Sequence, residues 1–396
     1  MEVNPEEIIG KYWQRIDTKF PELRQELEKL DFKPGIEAEN STDLADFLEH
    51  LDCGQILAPL KACYQRFGVV RPRLASRLKF AAFWKLKRFR SIREGHAYLR
   101  DHPDACKKLG FKKLPTYELL REFLNERLPG ILGILNDEVL VEADRELQEH
   151  TGQRLFEEVS QDAVDLKARK TDEGAEWSEY YKEYGYKADL AVGLKMGMIA
   201  TPVFLGINEH EGKCFSKQAE GLRNLGFEPK SWVFDGKYSS KESIALGTIG
   251  YRMEPGYKIQ KDWVPDSRGT EGEIARAYQK HWQDKGFKPG AEPGDQLEFL
   301  YRKGEPERVG AYIRNKAMES YEADPRSYLK KYHRRNRSES TNSHLKEKLD
   351  LERGIPKGKT RAKSHVELCV LARNLVALTR LQQGVTENLT SRAYLS

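Results

Sequence analysis

Apolar residues recur at helical spacing through the first third of the chain, at Ile8, Tyr12 and Ile16 and again at Leu74, Leu78, Ala82 and Leu86. The stretch 91–128 predicts short helices broken at Asp101-His102-Pro103 and Lys113-Leu114-Pro115. Thr116 is a cap before Leu119, Leu120, Phe123, Leu124 and Leu128. An all-α N-terminal domain over 1–150 follows. Its tight breaks suit a helix-turn-helix, though an ordinary helical packing domain fits the spacing equally. After residue 150 the pattern changes. Phe156 and Val159 lead to Asp162 at the end of a strand, and 186–194 with 197–206 read as a β-hairpin. A helix over 215–225 precedes a short strand, Ser231–Phe234, that ends on Asp235. A helix over 239–246 and a strand around 249–254 come next. Residues 255–325 contain Pro255, Pro265, Pro289 and Pro293 and many glycines, and read as an irregular insertion with some helix of its own. From 326 the chain is helical, and 365–383 is a strongly apolar closing helix. A second domain, 151–390, is expected to hold these elements.

Composition narrows the classes. Of 396 residues, 39% are apolar and 33% charged, yet 16 Phe, 18 Tyr and 6 Trp supply core material, which argues against disorder. No apolar run reaches the roughly 18 residues of a membrane span. Residues 1–16 show no basic region followed by an apolar one, so no secretory signal is expected. The cysteines Cys53, Cys63, Cys106, Cys214 and Cys369 are odd in number and lack a CxxC pair. A disulfide framework or zinc ribbon is therefore not expected, and a reducing cytoplasm is.

Charge is concentrated rather than spread. Residues 1–50 carry 13 acids against 6 bases, whereas 71–100 carry 10 bases against Glu94 alone. Residues 326–346 carry 7 bases against Glu339. Two basic concentrations, one interleaved with Phe80, Phe83, Trp84 and Phe89, point to a polyanion partner, since released counterions drive such binding. Lys87, Arg88 and Arg90 are the candidates for DNA contact in the first.

The second concentration carries the chemistry. On a helix Tyr332, Arg335, Glu339, Asn342 and Lys346 share one polar face, while Leu345 and Leu349 lie elsewhere and can anchor it. His333 and His344 are not spaced as zinc ligands and are expected to face DNA or solvent. A lone carboxylate on that face gains meaning if Asp162 and Asp235 converge on it. Acids from strand ends and one helix suit two Mg2+ ions about 3.5–4 Å apart, clamping the attacking and leaving oxygens of a phosphoryl displacement. Lys346 and Arg335 would then meet flanking phosphates. Tyr332 is either a base-stacking or phosphate contact or a packing residue at the helix start.

The run Tyr332, Arg335, Glu339, Lys346 reproduces Tyr-x2-Arg-x3-Glu-x6-Lys without a gap, and Val233-Phe234-Asp235-Gly236-Lys237-Tyr238 supplies an apolar strand, Asp, a small residue and then Tyr. In these motifs, with Tyr184-Gly185-Tyr186-Lys187 and the closing helix containing Asn374, the chain resembles the DDE transposases of bacterial and archaeal insertion sequences over roughly residues 155–385. The resemblance implies an α/β, ribonuclease H-like catalytic domain, a mixed sheet flanked by helices, behind the all-α N-terminal domain. It implies an acidic triad at Asp162, Asp235 and Glu339 holding two Mg2+, with Mn2+ as a substitute. It also implies double-stranded DNA partners (terminal inverted repeats and target), a homodimer on paired ends and association with the nucleoid. The family usually places Thr or Ser two residues after the first Asp. Here Ala163-Val164-Asp165 follows Asp162, so Asp165 rivals it. Residues three apart on a strand point to opposite faces, and only one of the two can face the ions. A metal-dependent structure-specific nuclease of the same fold, or a non-enzymatic DNA-binding descendant, stays open.

Overall fold

The computed structural model describes residues 44–57, 74–257, 259, 263–282 and 292–386. Contacts divide the chain into two units, 45–390 and a smaller one of 1–44 with 391–396; the elements below belong to the first. The periodic stretch at Ile8, Tyr12 and Ile16 lies outside the described residues, as does Cys63. Cys53, Cys106, Cys214 and Cys369 are free and buried.

The N-terminal region is helical. α1 (Leu74–Leu86) has no Gly or Pro and buries Leu78, Phe80, Ala81, Ala82, Phe83 and Leu86, the all-round apolar surface of an enclosed helix. α2 (Ile92–Asp101) starts at Ser91, whose hydroxyl accepts from the Glu94 N–H while the Glu94 carboxylate accepts from the Arg90 N–H. That reciprocal arrangement is close to a capping box. The short α3 (Pro103–Lys108) follows, and α4 (Tyr117–Glu122) is capped by Thr116 as its sequence predicts. α5 (Leu132–Thr151) stops at Gly152, whose φ of +70° is the left-handed conformation glycine adopts without strain.

The strands β1 (Glu158–Lys167), β2 (Glu176–Ser178), β3 (Glu183–Gly193), β4 (Val203–Gly206), β5 (Ser231–Phe234) and β6 (Glu254–Tyr257) form one mixed sheet. Its order is β2-β3-β1-β5-β6, with β4 also paired to β3. β1 is central: antiparallel to β3 from Val159↔Gly193 to Lys167↔Gly185, and parallel to β5 from Glu158↔Ser231 to Gln161↔Phe234. β6 extends the parallel half. This is the ribonuclease H-like arrangement. Three details differ from the expectation. β1 runs on to Lys167, so Asp162 is mid-strand, because Ala163, Val164 and Leu166 keep pairing with β3. The second hairpin arm is β4 alone, with Ile199 making a single bridge to Val192. The strand near 249–254 begins only at Glu254, because 246–250 is taken up by a π-turn.

α6 (Cys214–Asn224) follows the hairpin, and α7 (Lys241–Ala245) leads into that π-turn. The stretch expected to be irregular is largely helical among the described residues: α8 (Glu271–Trp282), α9 (Pro293–Arg302) and α10 (Pro306–Ala323). Pro293 and Pro306 open helices rather than break them, since the first-turn N–H has no helical partner to lose. α10 lies against α7 so closely that a Cβ on Gly310 would fall 1.9 Å from the Lys241 carbonyl. Lys241 also pairs with Asp266, fastening the insertion.

α11 (Pro325–Tyr332), a 3-10 turn (His333–Arg335), α12 (Asn336–Lys348) and α13 (Lys359–Gln382) complete the unit. α13 is buried along almost its whole length and packs on α5 and α1. Asn374 fixes it: its Nδ2 donates to Asn136 Oδ1 (2.8 Å) and the Ile199 carbonyl (2.7 Å), and its Oδ1 accepts from the Ile199 N–H. α5 brings Leu132, Leu135, Val139, Leu140 and Ala143, all buried, to the helix pair it forms with α13.

Candidate active site

Residues opposed across an antiparallel ladder share a face. Asp162 opposes Leu190, and Asp165 opposes Lys187, on the other face. On the first face, Ser160 and Asp162 meet α12; on the second, Gln161 hydrogen-bonds Asp189 and Asp165 lies near Lys237 in the turn after β5. The Asp165 carboxyl is hydrogen-bonded by Tyr181 and lies near Lys187 and Lys237, and burial raises its pKa. Asp162 is the one on the side of Glu339.

α12 is keyed to β1 by a simple match of rises. Arg334 pairs with Glu158, Ser160 Oγ donates to Ser338 Oγ at 2.9 Å, and Asn342 Nδ2 donates to Asp162 Oδ2 at 3.1 Å. Each step is four residues along the helical segment and two along the strand, about 6 Å against about 6.6 Å. Ser160 and Ser338 are both fully buried, and their small side chains allow the close approach. Glu339, next to Ser338, is thereby carried into the neighbourhood of Asp162.

Asp235 arrives from β5. Phe234 opposes Gln161 in the parallel ladder, so the next residue comes out beside Asp162. Asp235 caps the following 3-10 turn by accepting from the Gly236 N–H at 2.8 Å. Between the acids stands Arg335: its Nη1 lies 3.6 Å from Asp235 Oδ1 and its Nη2 pairs with Glu339 Oε1. Its guanidinium also sits 5.7 Å from the centre of the Tyr332 ring. Burial pushes the Asp162 carboxyl up to about 6; Arg335 opposes that shift, while Asp235 and Glu339 add to it. Burial likewise raises Tyr332.

Among the described residues no three acids stand close enough to share an ion, the Arg335 guanidinium lying between two of them. The donor chemistry nevertheless fits a hard divalent cation: three carboxylates, and an Asn342 Oδ1 that is buried without a hydrogen-bond partner.

A family model described as a transposase DDE domain matches residues 157–375, more than half of the chain. The chain belongs to the DDE transposase family. No curated protein and no solved structure matches it. The match starts one residue before β1 and ends in α13, so this transposase domain contains all three acids and the helical insertion.

Other predicted residues are placed as follows. Tyr332 ends α11 and is buried, and the 3-10 turn separates it from α12, so the polar face is not one continuous helix. Asn342 turns inward to Asp162 rather than to solvent. Lys346 pairs with Glu352 at 2.5 Å. Arg88 makes a two-pronged pair with Asp350 (3.0 and 2.5 Å), while Lys87 and Arg90 are exposed. His344, expected to be solvated, is buried beside Arg373 because α12 lies over α13. Trp232 is fully buried, as its strand implies.

Sequence reasoning missed the support beneath the acids. Asp189 on β3 is completely buried; its carboxylate accepts from Tyr238 (2.5 Å), Gln161 (2.8 Å) and Gln218 (3.3 Å). Gln161 precedes Asp162 and Tyr238 closes the turn capped by Asp235, so one carboxylate ties both site aspartates to the sheet. Burial pushes Asp189 up to about 7 against its three donors. A single acid within the apolar run Ala188–Gly193 was the available signal.

Proposed function

We propose that this transposase binds the terminal inverted repeats of an insertion sequence, hydrolyses the phosphodiester at each end and joins the freed 3′-hydroxyl to target DNA. The supporting observation is the meeting of Asp162, Asp235 and Glu339, from two strands and a helix, around one guanidinium. Asp162, Asp235 and Glu339 would hold two Mg2+ ions, or Mn2+ in their place. When bound, such ions supply Lewis-acid polarisation and a nucleophile activated at neutral pH.

The chain's own residues do the rest. Asn342 orients Asp162 through one oxygen and leaves its own Oδ1 uncommitted. Arg335 pairs with carboxylates in this arrangement and presents the fork geometry that also takes a phosphate bidentately. Partial burial of Asp162 delays its ionisation to about pH 6. Lys346, Lys87 and Arg90 are proposed to contact DNA, whereas Arg88 is held by Asp350; paired ends call for a homodimer on the DNA, in the nucleoid.

Asp235→Asn and Glu339→Gln are each expected to abolish Mg2+-dependent cleavage of end-containing DNA on a sequencing gel while binding in a mobility-shift assay survives. Substantial cleavage by either variant refutes the assignment. Wild-type cleavage without joined products would instead assign a structure-specific nuclease, and binding without cleavage a non-enzymatic DNA-binding protein.

A further inference from the structure

A cavity of about 630 Å3 opens where β1, β5 and β6 begin, beside the start of α12. Its wall carries Arg154, Lys195, Lys230, Arg334 and Arg337 against Glu157, Glu158 and Glu254. The three acids are engaged, by Lys230 (2.7 Å), Arg334 and Lys331 (2.8 Å) respectively. Arg154 holds Asp144 at 2.9 Å. Among the described residues Lys195 and Arg337 make no ion pair with any acid, and Arg337 Nε is buried without a hydrogen-bond partner.

Two further features deepen the imbalance. Behind Arg337 lies Arg373, only 4% exposed, whose contacts are the Gly197 carbonyl (3.3 Å), the His344 ring (2.5 Å) and the Thr341 hydroxyl (3.4 Å). A buried cation held by neutral groups projects its charge outward. Burial first, and then repulsion from Arg337, pull Arg373 down to about 9. In addition, α12 starts with Arg335 at its N-cap position and no side-chain cap. Arg334, Arg335 and Arg337 therefore crowd the positive end of a 13-residue helix, where cations are disfavoured and anions bind. Arg334 and Arg335 have acids to compensate them; Arg337 has none.

We propose that this cavity is a phosphate site, with Arg337 and Lys195 gripping the backbone of a bound DNA strand. It rests on the reading of this transposase as an enzyme acting on DNA ends.

The test is anisotropy titration of a fluorescein-labelled, random-sequence duplex of roughly three helical turns against the full chain over a sodium chloride series. Arg337→Gln and Lys195→Ala should each weaken binding several-fold and lower the slope of log K against log salt by about 1. Unchanged affinity and slope in both variants overturns the proposal, as does weaker binding with an unchanged slope. Should Arg337→Gln fail to fold, the exposed Lys195 decides alone. A parallel melting series with sodium tripolyphosphate needs no DNA. Stabilisation of wild type that Arg337→Gln or Lys195→Ala loses supports the site, and equal shifts in all three proteins refute it. Failure of wild type to bind DNA would remove the transposition reading and leave the cavity to the tripolyphosphate result.

Discussion

Asp162 shows at the level of one residue how a site can oppose the stability of its fold. Folded, its carboxyl holds a proton to about pH 6; the ordinary value is 3.8. Between those values the folded chain binds the extra proton, so wild-type stability falls as pH rises, and above about 6 the loss is complete. Asp162→Asn cannot ionise. Its melting temperature should match wild type near pH 4 and exceed it by several degrees at pH 7.5, read by calorimetry across the range. A difference independent of pH would contradict the assignment. Added Mg2+ should raise the wild-type melting temperature at pH 7.5 and leave Asp162→Asn unmoved. The sequence left Asp162 and Asp165 as rivals, because neither is followed two residues later by Thr or Ser and alternation alone does not say which face meets Glu339. The β1–β3 register separates them: Asp165 shares its face with Lys187 and Asp162 does not.

Between elements, the critical contact is α12 on β1. The Ser160–Ser338 pair lets helix and strand approach and sets where Glu339 lies. Ser338→Ala loses two hydrogen bonds, to Ser160 and to the Arg335 carbonyl, about 1–3 kcal/mol, and should keep most cleavage activity because the spacing survives. Ser338→Leu overpacks the contact at about 1–3 kcal/mol and should lose cleavage far beyond what that destabilisation explains. Melting curves and single-turnover cleavage of both variants check this. Equal activity in the two would show that the approach of α12 is not what positions Glu339. Most elements were legible: the Thr116 cap, the closing helix and the Ser231–Phe234 strand follow from local spacing. The insertion was not, because Pro293 reads as a breaker until it is seen at the first position of a helix.

Over the whole molecule, the basic run at 71–100 divides in function. Arg88, at φ +59°, is drawn across the unit to Asp350, which joins the end of α1 to the segment after α12. Arg88→Ala should therefore lower stability by up to about 1 kcal/mol, a half-exposed pair being partly screened, and leave the salt dependence of DNA binding alone. Lys87→Ala with Arg90→Ala should do the reverse, with melting unchanged and the salt slope shallower by about 1–2. Chemical denaturation and anisotropy titrations on the same preparations distinguish the two patterns, and an exchange of them would refute the division. Composition showed the charge but not its assignment, since pairing with Asp350 depends on contacts 262 residues apart.

Taken by itself, the amino-acid order determined which segments are helix and strand, the spacing of Tyr332, Arg335, Glu339 and Lys346, and the family to which they point. Those properties depend on neighbours a few positions away. Tertiary structure alone decided which aspartate of β1 faces Glu339, that Arg335 stands between two acids, that His344 is buried, and that Asp189 supports Asp162 and Asp235 from below. Each of these depends on strand register and on a helix meeting a sheet, where a side chain's surroundings come from residues distant in the chain and no local periodicity records them.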